Sequence, residues 1–299
     1  MARIALITAV AARDLDEDLP PLVAALRGDG TAASVVDWDD ASVDWSRFDL
    51  AVLRSTWDYS LRLPEFLRWV DRVSESTMLL NPRDVVRWNT DKHYLGHLAA
   101  AGVPIVPSAF VEPGDDAGHA LDRFLAAQAA EFVVKPSIGA GSRDAQRYAR
   151  GERDDAARHV ERLLNAQRSV LLQPYLGRVD VRGETALVFF DGRFSHAVRK
   201  GPLLRRGEGP TRALFAAEHI TPRVAEADEI AIATRTLAAI PFAQPLLYAR
   251  VDLIHDDDGA PRVLELELSE PSLFFEHAPG SAECFARAVV ARGAGRPRG

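Results

Sequence analysis

The sequence predicts an α/β fold, an N-terminal parallel sheet with crossover helices joined to a mixed α+β region, and three observations carry that expectation. Short apolar runs alternate with helically spaced segments through residue 75, the pattern of βαβ units. After that the order changes to helix, strand and hairpin, with Asp191-Gly192 as a two-residue turn signal between apolar runs. The chain has 299 residues, 47% hydrophobic and 26% charged, the composition of an ordinary globular protein with ample core.

Taken in order, 3–9 predicts a buried strand, 16–28 a helix, 34–38 and 48–54 two further strands, and 64–75 a helix with Phe66, Trp69, Val70 and Val73 on one stripe. The segment "NPRD" at 81–84 breaks the chain. Thr90 predicts the N-cap of a helix that Gly102 and Pro104 end, which places Lys92 near its first turn. Helices at 115–130 and 152–167 lead into strands 131–136 and 169–176, and 184–200 predicts a hairpin. Residues 203–218 lack periodicity and predict a loop. Thr221-Pro222 predicts the start of a helix to about 239, followed by strands 246–254 and 262–268 joined through "DDDG". The tail 291–299 is expected to be disordered, and no internal repeat is visible.

Composition narrows the function. No apolar run approaches the roughly 20 residues that cross a bilayer, and "MARIALITAV" has the form of a first strand rather than a signal peptide, so a cytoplasmic protein without membrane contact is expected. The single cysteine, Cys284, permits no internal disulfide, agrees with a reducing compartment, and is expected to be a small buried hydrophobe. A net charge of -7 speaks against general nucleic-acid binding while leaving room for a local basic pocket, which points to a small-molecule partner.

The stretch "RVLELELSEPSLF" carries the strongest chemical signal. Alternation on a strand sets Glu265 and Glu267 on one face and Leu264, Leu266 and Leu268 on the other. The preceding strand sets Arg250 and Asp252 on one face and Val251 and Leu253 on the other. Pairing of the two strands brings Asp252 toward both glutamates, an oxygen-only cluster suited to Mg²⁺. A solvated sheet face is the competing reading of the same residues. Glu270 and Asp256 to Asp258 read as turn and surface charge, although Glu270, just beyond the carboxylate strand, is also carried as a substrate candidate. In "FVVKPSIGAGSRD", Lys135 ends an apolar run, and Ser137, Gly139, Gly141 and Ser142 form a stretch whose amides and hydroxyls can approach phosphate. A simple turn explains such a stretch equally, and it is neither a P-loop nor a dinucleotide fingerprint. No nucleophile elbow, HExxH or Cys-His pair is present, and His196 reads as structural.

Lys92 in "NTDKHYLGHLAAAGVPIVP", Lys135 in "VVKPSIGAGS", the strand end "LLQPYL", Arg250 and Asp252 in "ARVDL", and Glu265 and Glu267 in "LELEL" stand in the order found in ATP-grasp ligases. Over about 85–275 the chain resembles that family, and the N-terminal alternation resembles its preceding α/β domain. The resemblance implies an ATP-grasp fold with a substrate-binding domain at 1–88 and an ATP-grasp domain at 89–290, the latter split into a lid at about 105–177 and a C-terminal part at about 178–290. It implies ATP and Mg²⁺ as cofactors. Lys92 and Lys135 would hold phosphates under residues 137–142, and adenine would lie against Gln173, Pro174, Tyr175 and Leu176. Asp180 would take the ribose hydroxyls, Asp252, Glu265 and Glu267 the metal, and Arg250 the charge of the acyl phosphate and tetrahedral intermediate. Many members carry Asn where Glu267 stands, so this chain adds a negative charge there.

Two further stretches point to the substrate. "LRSTWDYS" follows the third strand, beyond the strand ends where α/β sheets bind ligands, so Arg54 is expected to pair with a carboxylate while Ser55, Trp57, Asp58 and Tyr59 shape the pocket. Simple packing explains Trp57 and Tyr59 equally. Glu184 and Lys200 bracket the hairpin, with Lys200 able to reach phosphate or substrate and Arg199 pointing away. Together with "ELELSEPSLFF", these stretches resemble the branch of the family that makes D-cycloserine. That implies an amino acid derivative as partner, O-ureido-D-serine, cyclised by its own ureido nitrogen after ATP activates its carboxylate, and relatives make a homodimer a further expectation. An intermolecular amino acid or peptide ligase and a non-catalytic nucleotide-binding module are the alternatives.

Overall fold

A computed structural model of the chain describes residues 2–127, 130–210, 218–243 and 245–294. The N-terminal layer is a parallel sheet of β1 (Arg3–Thr8), β2 (Ala32–Asp37), β3 (Leu50–Ser55) and β4 (Met78–Leu80) in the order β2-β1-β3-β4. Helices α1 (Leu19–Gly28) and α2 (Leu63–Ser76) cover its two faces, which is why β1 and β3 read as unbroken apolar runs. The stripe on α2 is buried as its spacing predicts. The first helix begins three residues later than expected from the sequence, because Asp18 stays outside it. The Asp18 carboxylate instead accepts backbone N–H groups of Leu273, at 2.5 Å, and Phe275, at 2.9 Å.

Beyond β4 come α3 (Arg83–Asn89) and α4 (Tyr94–Ala100). Thr90 is therefore the C-cap of α3 rather than an N-cap, and Lys92 lies in the turn between the two helices. A second sheet follows, antiparallel, of β5 (Ala109–Val111), β6 (Glu131–Pro136), β7 (Gln146–Ala149) and β8 (Val170–Pro174), in the order β5-β8-β6-β7. It is backed by α5 (Ala117–Ala127) and α6 (Arg153–Asn165); residues 128–129 of the expected 115–130 helix lie outside the described residues.

The third sheet contains the expected hairpin. The short α7 (Val179–Arg182) leads into β9 (Glu184–Phe190) and β10 (Arg193–Lys200). Asp191 and Gly192, at φ 49° and 75°, both adopt the left-handed conformation that a tight two-residue turn requires. β11 (Ile220–Arg223), β12 (Tyr248–His255) and β13 (Pro261–Glu267) complete the order β11-β10-β9-β12-β13. Thr221-Pro222 belongs to β11, an edge strand where proline is tolerated, and does not start a helix. The helix α8 (Ala227–Ala238) begins after Glu226, whose backbone N–H donates to Glu229 at 2.8 Å in a capping box. Residues 211–217 of the loop expected at 203–218 lie outside the described residues.

The last helix, α9 (Ser281–Ala294), returns to the first layer: Phe285 and Val289 pack with Ile4, Leu6 and Leu22. Residues 291–294, expected as disordered tail, complete this helix, and the rest of that tail lies outside the described residues. Cys284 is exposed on it, not buried, because the apolar stripe of α9 runs through Phe285, Ala286 and Val289 instead. Among the described residues no helix is long and apolar enough to cross a membrane.

Candidate active site

A cleft lies where the second and third sheets meet the segment after β3. Its floor is set by register. On β12 and β13, Asp252 stands opposite Glu265 and Arg250 opposite Glu267, as alternation required. Glu184 and Lys200 face each other across β9 and β10. The Lys200 ammonium lies 3.2 Å from Glu184, 3.4 Å from Glu218 and 3.2 Å from Asp252. The Arg250 guanidinium donates to Asp252 at 2.8 and 2.9 Å, to the Ser272 carbonyl at 3.2 Å, and to Glu267.

The opposite wall comes from the turn after α3 and the loop after β6. The Lys92 N–H donates to the Ser137 carbonyl at 3.0 Å, and its ammonium donates to the Gly139 carbonyl and lies 2.9 Å from Glu265 Oε1. Gly139, Gly141, Ser142 and Arg143 line the cleft, with Gly141 in a left-handed conformation at φ 61°. Lys135 lines it too, and among the described residues it has no carboxylate within ion-pair distance. Gln173, Pro174, Tyr175 and Leu176 form one end, beside the apolar Leu203, Leu204 and Leu264.

These charges shift one another. Burial alone raises the Glu265 carboxyl, but Lys92 and Lys135 outweigh it and hold it below the ordinary range. Burial pushes Glu267 up to about 8, Arg250 opposing and Asp252 and Glu265 adding to the rise. Glu270 is pushed up to about 7, again chiefly by burial. Burial, with Lys92 and Lys200 nearby, lowers the Lys135 ammonium against the attraction of Glu265.

Several sequence candidates stand elsewhere. Ser137 is fully buried and outside the cleft lining, where its backbone rather than its hydroxyl serves the site. Asp180 is outside the lining, tied to Arg147 at 3.1 Å and to the Tyr175 hydroxyl. Arg54 is 1% exposed and does not line the cleft; it donates to the Pro271 carbonyl at 2.9 Å and lies 3.6 Å from Asp18. Ser55 hydrogen-bonds Thr8 at 2.7 Å, and Asp58 accepts from Trp38 at 2.9 Å and from Arg62. The alternation of buried and facing positions breaks down there because β3 is buried on both faces. Trp57 and Tyr59 do reach the cleft, and so does Glu270, which the structure places in the lining and not at the surface. Asp252 is 1% exposed, engaged by Arg250 and Lys200, and outside the lining. Arg199 points away as expected, to the carbonyls of Arg182 and Val181, and His196 is held structurally by the Leu273 carbonyl at 2.8 Å. Sequence reasoning missed Arg143, Glu218 and the pair Leu203-Leu204, whose one signal was two adjacent leucines at the start of an aperiodic loop.

The donor chemistry of the acids fits a hard divalent cation, since every candidate ligand is a carboxylate oxygen on one strand pair. Among the described residues, however, no three His, Cys, Asp or Glu side chains converge as a ready cage; the cations of Lys92, Arg250 and Lys200 hold these acids.

With this geometry in hand, similarity to known proteins is decisive. Residues 4–81 match the family described as D-cycloserine synthetase DcsG, N-terminal domain. The chain is 45% identical over 298 residues to the cycloserine biosynthesis protein DcsG of Streptomyces lavendulae, which covers 98% of this chain and 99% of that protein. The chain belongs to the DcsG family of ATP-grasp ligases. A crystal structure of D-cycloserine synthetase DcsG matches with a TM-score of 0.92 at 45% identity, over 97% of this chain and 99% of that one. The ATP-grasp ligase PsnB, in complex with a minimal precursor, Mg and ADP, matches in fold with a TM-score of 0.64 at 18% identity, over 97% and 98% of the two chains.

Proposed function

We propose that the protein is an ATP- and Mg²⁺-dependent, ADP-forming ligase that closes O-ureido-D-serine to D-cycloserine. The observation that carries the reading is the full-length similarity to a cycloserine biosynthesis protein, and the cleft supplies the chemistry. On this reading the substrate carboxylate takes the γ-phosphoryl group of ATP, releasing ADP. The ureido nitrogen attached to oxygen then attacks the acyl carbon, phosphate leaves, and the carbamoyl group is lost to water.

Each step needs charge held in place rather than a protein nucleophile. Lys135, free of any carboxylate among the described residues, is suited to take a phosphate oxygen, and Lys92 anchors the loop that would cover it. Arg250 is suited to the developing oxyanion because its planar guanidinium stays charged beside Asp252. Lys200 stands across the same floor, next to Glu184. Gln173 to Leu176 would flank the adenine. Mg²⁺, when bound, would offset the charge of the phosphates, and Glu265, Glu267 and Asp252 are the side chains suited to hold it. We assign residues 1–88 to substrate binding and 89–290 to nucleotide binding, with 105–177 as the lid. Ring closure gains from having nucleophile and electrophile in one molecule.

The test is incubation with O-ureido-D-serine and ATP, following ADP, phosphate and D-cycloserine, with and without EDTA. Turnover that stops in EDTA and returns with excess Mg²⁺ is expected. No ADP above background with this acid overturns the substrate assignment, and phosphate release that requires a separate amine replaces ring closure with intermolecular ligation.

A further inference from the structure

Most charges lining the cleft are matched in pairs: Lys92 with Glu265, Arg250 with Glu267, Lys200 with Glu184 and Glu218. Among the described residues, Glu270 is the lining carboxylate without an ion pair, while Lys135 and Arg143 are the lining cations without one. Unmatched cations suit the phosphates of the proposed reaction. An unmatched buried anion calls for a cation, because a carboxylate removed from water without a partner is costly.

Glu270 is 7% exposed, and its Oε2 is buried with no hydrogen-bond partner. The backbone at Glu270 is held from the N-terminal layer. The Trp57 indole donates to the Glu270 carbonyl at 3.0 Å, and Tyr59 lines the cleft beside it. Arg54, donating to the next carbonyl, that of Pro271, holds the following residue as well. The carboxylate presents a buried oxygen without a partner in a cleft that the rings of Trp57 and Tyr59 also line. A single carboxylate flanked by aromatic faces suits an organic ammonium, whereas Mg²⁺ demands a near-octahedral set of oxygens.

We propose that Glu270, its backbone held by Trp57 and its carboxylate in the same cleft as Tyr59, receives the protonated α-amino group of the substrate and is the residue that restricts this enzyme to amino acids. The inference rests on the reading of the cleft as a site that activates a carboxylate. It accounts for why the segment after β3 reaches into the cleft with its aromatic residues while Arg54 stays behind it.

The test compares wild type and Glu270→Gln, an isosteric change, on O-ureido-D-serine and its analogue without the amino group, 3-(ureidooxy)propanoic acid. D-serine and D-lactate form a second pair, with hydroxylamine trapping the activated acid. Wild type should favour the amine-bearing member of each pair it activates by about 10- to 100-fold in kcat/KM, the size of a hydrogen bond to a charged group. In Glu270→Gln that preference should fall to within about threefold, with KM for ATP unchanged and the amine-free acids unaffected. Equal use of both members by wild type, an undiminished preference in the variant, or activation of no amino acid overturns the proposal. An equal loss on both members means a structural role and does so as well. Failure of the proposed function looks different: amino acids are preferred and the preference depends on Glu270, but O-ureido-D-serine is not cyclised.

Discussion

Lys135 lies in β6 with its side chain lining the cleft, and among the described residues no carboxylate is within ion-pair distance of it, although Glu265 feels its charge. Lys135→Ala should lower kcat by about 100-fold or more, the cost of losing one charge-stabilising donor, and leave the melting temperature near that of wild type. Glu265→Ala should do the same and in addition free Lys92. Activity within a few-fold of wild type in either variant removes that residue from the site. Arg54 behaves differently at this scale. It is buried against Asp18 and the Pro271 carbonyl, so Arg54→Ala should destabilise the fold by about 3 kcal/mol, the range for breaking a buried pair. Chemical denaturation measures it, and an unchanged midpoint with a raised KM for the acid would return Arg54 to substrate binding. The sequence placed Arg54 at a strand end but did not show that a residue from the far end of the chain would cover it.

At the scale of elements, the floor of the cleft depends on the last strand of its sheet. β13 is the last strand of its sheet; at Val263 its outer edge bonds the backbone of residues 104–106, and further along it is satisfied by side chains. Asn89 donates to the Leu266 carbonyl at 2.8 Å and accepts from the Leu268 N–H at 2.6 Å, while the Tyr94 hydroxyl accepts from the Leu266 N–H at 2.9 Å. Asn81 serves β12 and the end of this segment in the same way, through the Tyr248 and Leu268 carbonyls. These groups fix Glu265 and Glu267 from behind. Asn89→Ala leaves two buried backbone groups unpaired and should cost about 2–4 kcal/mol, lowering the melting temperature and kcat together. A variant as stable and active as wild type would show that β13 needs no such support. Strand pairing and the hairpin turn were legible in the sequence because alternation and Asp191-Gly192 are local signals. The ends of α3 and α4 were not: Thr90 has the side chain of an N-cap, and only the packing of Val86 and Tyr94 sets it at the end of one helix instead of the start of the next.

Across the whole molecule, buried histidines make stability depend on pH. Burial lowers His159 to about 4, its Nδ1 facing the Tyr148 hydroxyl at 3.0 Å, and burial lowers His196 and His255 as well. As pH falls below the unfolded value near 6.5 the unfolded chain takes up protons first, so stability is lost between about 6.5 and 4, His159 alone accounting for on the order of 3 kcal/mol. His93 acts in the opposite sense, raised between Asp91 and Glu112 despite its burial, and its stabilisation is lost instead as pH rises through its folded value. The raised carboxyls of Glu267 and Glu270 act in the opposite sense over the same range, so the histidine contribution is read as a difference: relative to wild type, His159→Leu should gain stability as the pH drops from 7 to 5, and an unchanged difference at the two values contradicts this account. By itself the sequence determined the α/β alternation, the order of lysines and acids, and the face on which Glu265 and Glu267 lie, because each is set by neighbours within a strand or a hairpin. Only the tertiary structure decided which charges are already matched, that Arg54 and Asp180 are engaged away from the cleft, and that Glu270 enters it. Those outcomes depend on contacts between separate elements, up to the 213 residues between Trp57 and Glu270, and no local pattern encodes them.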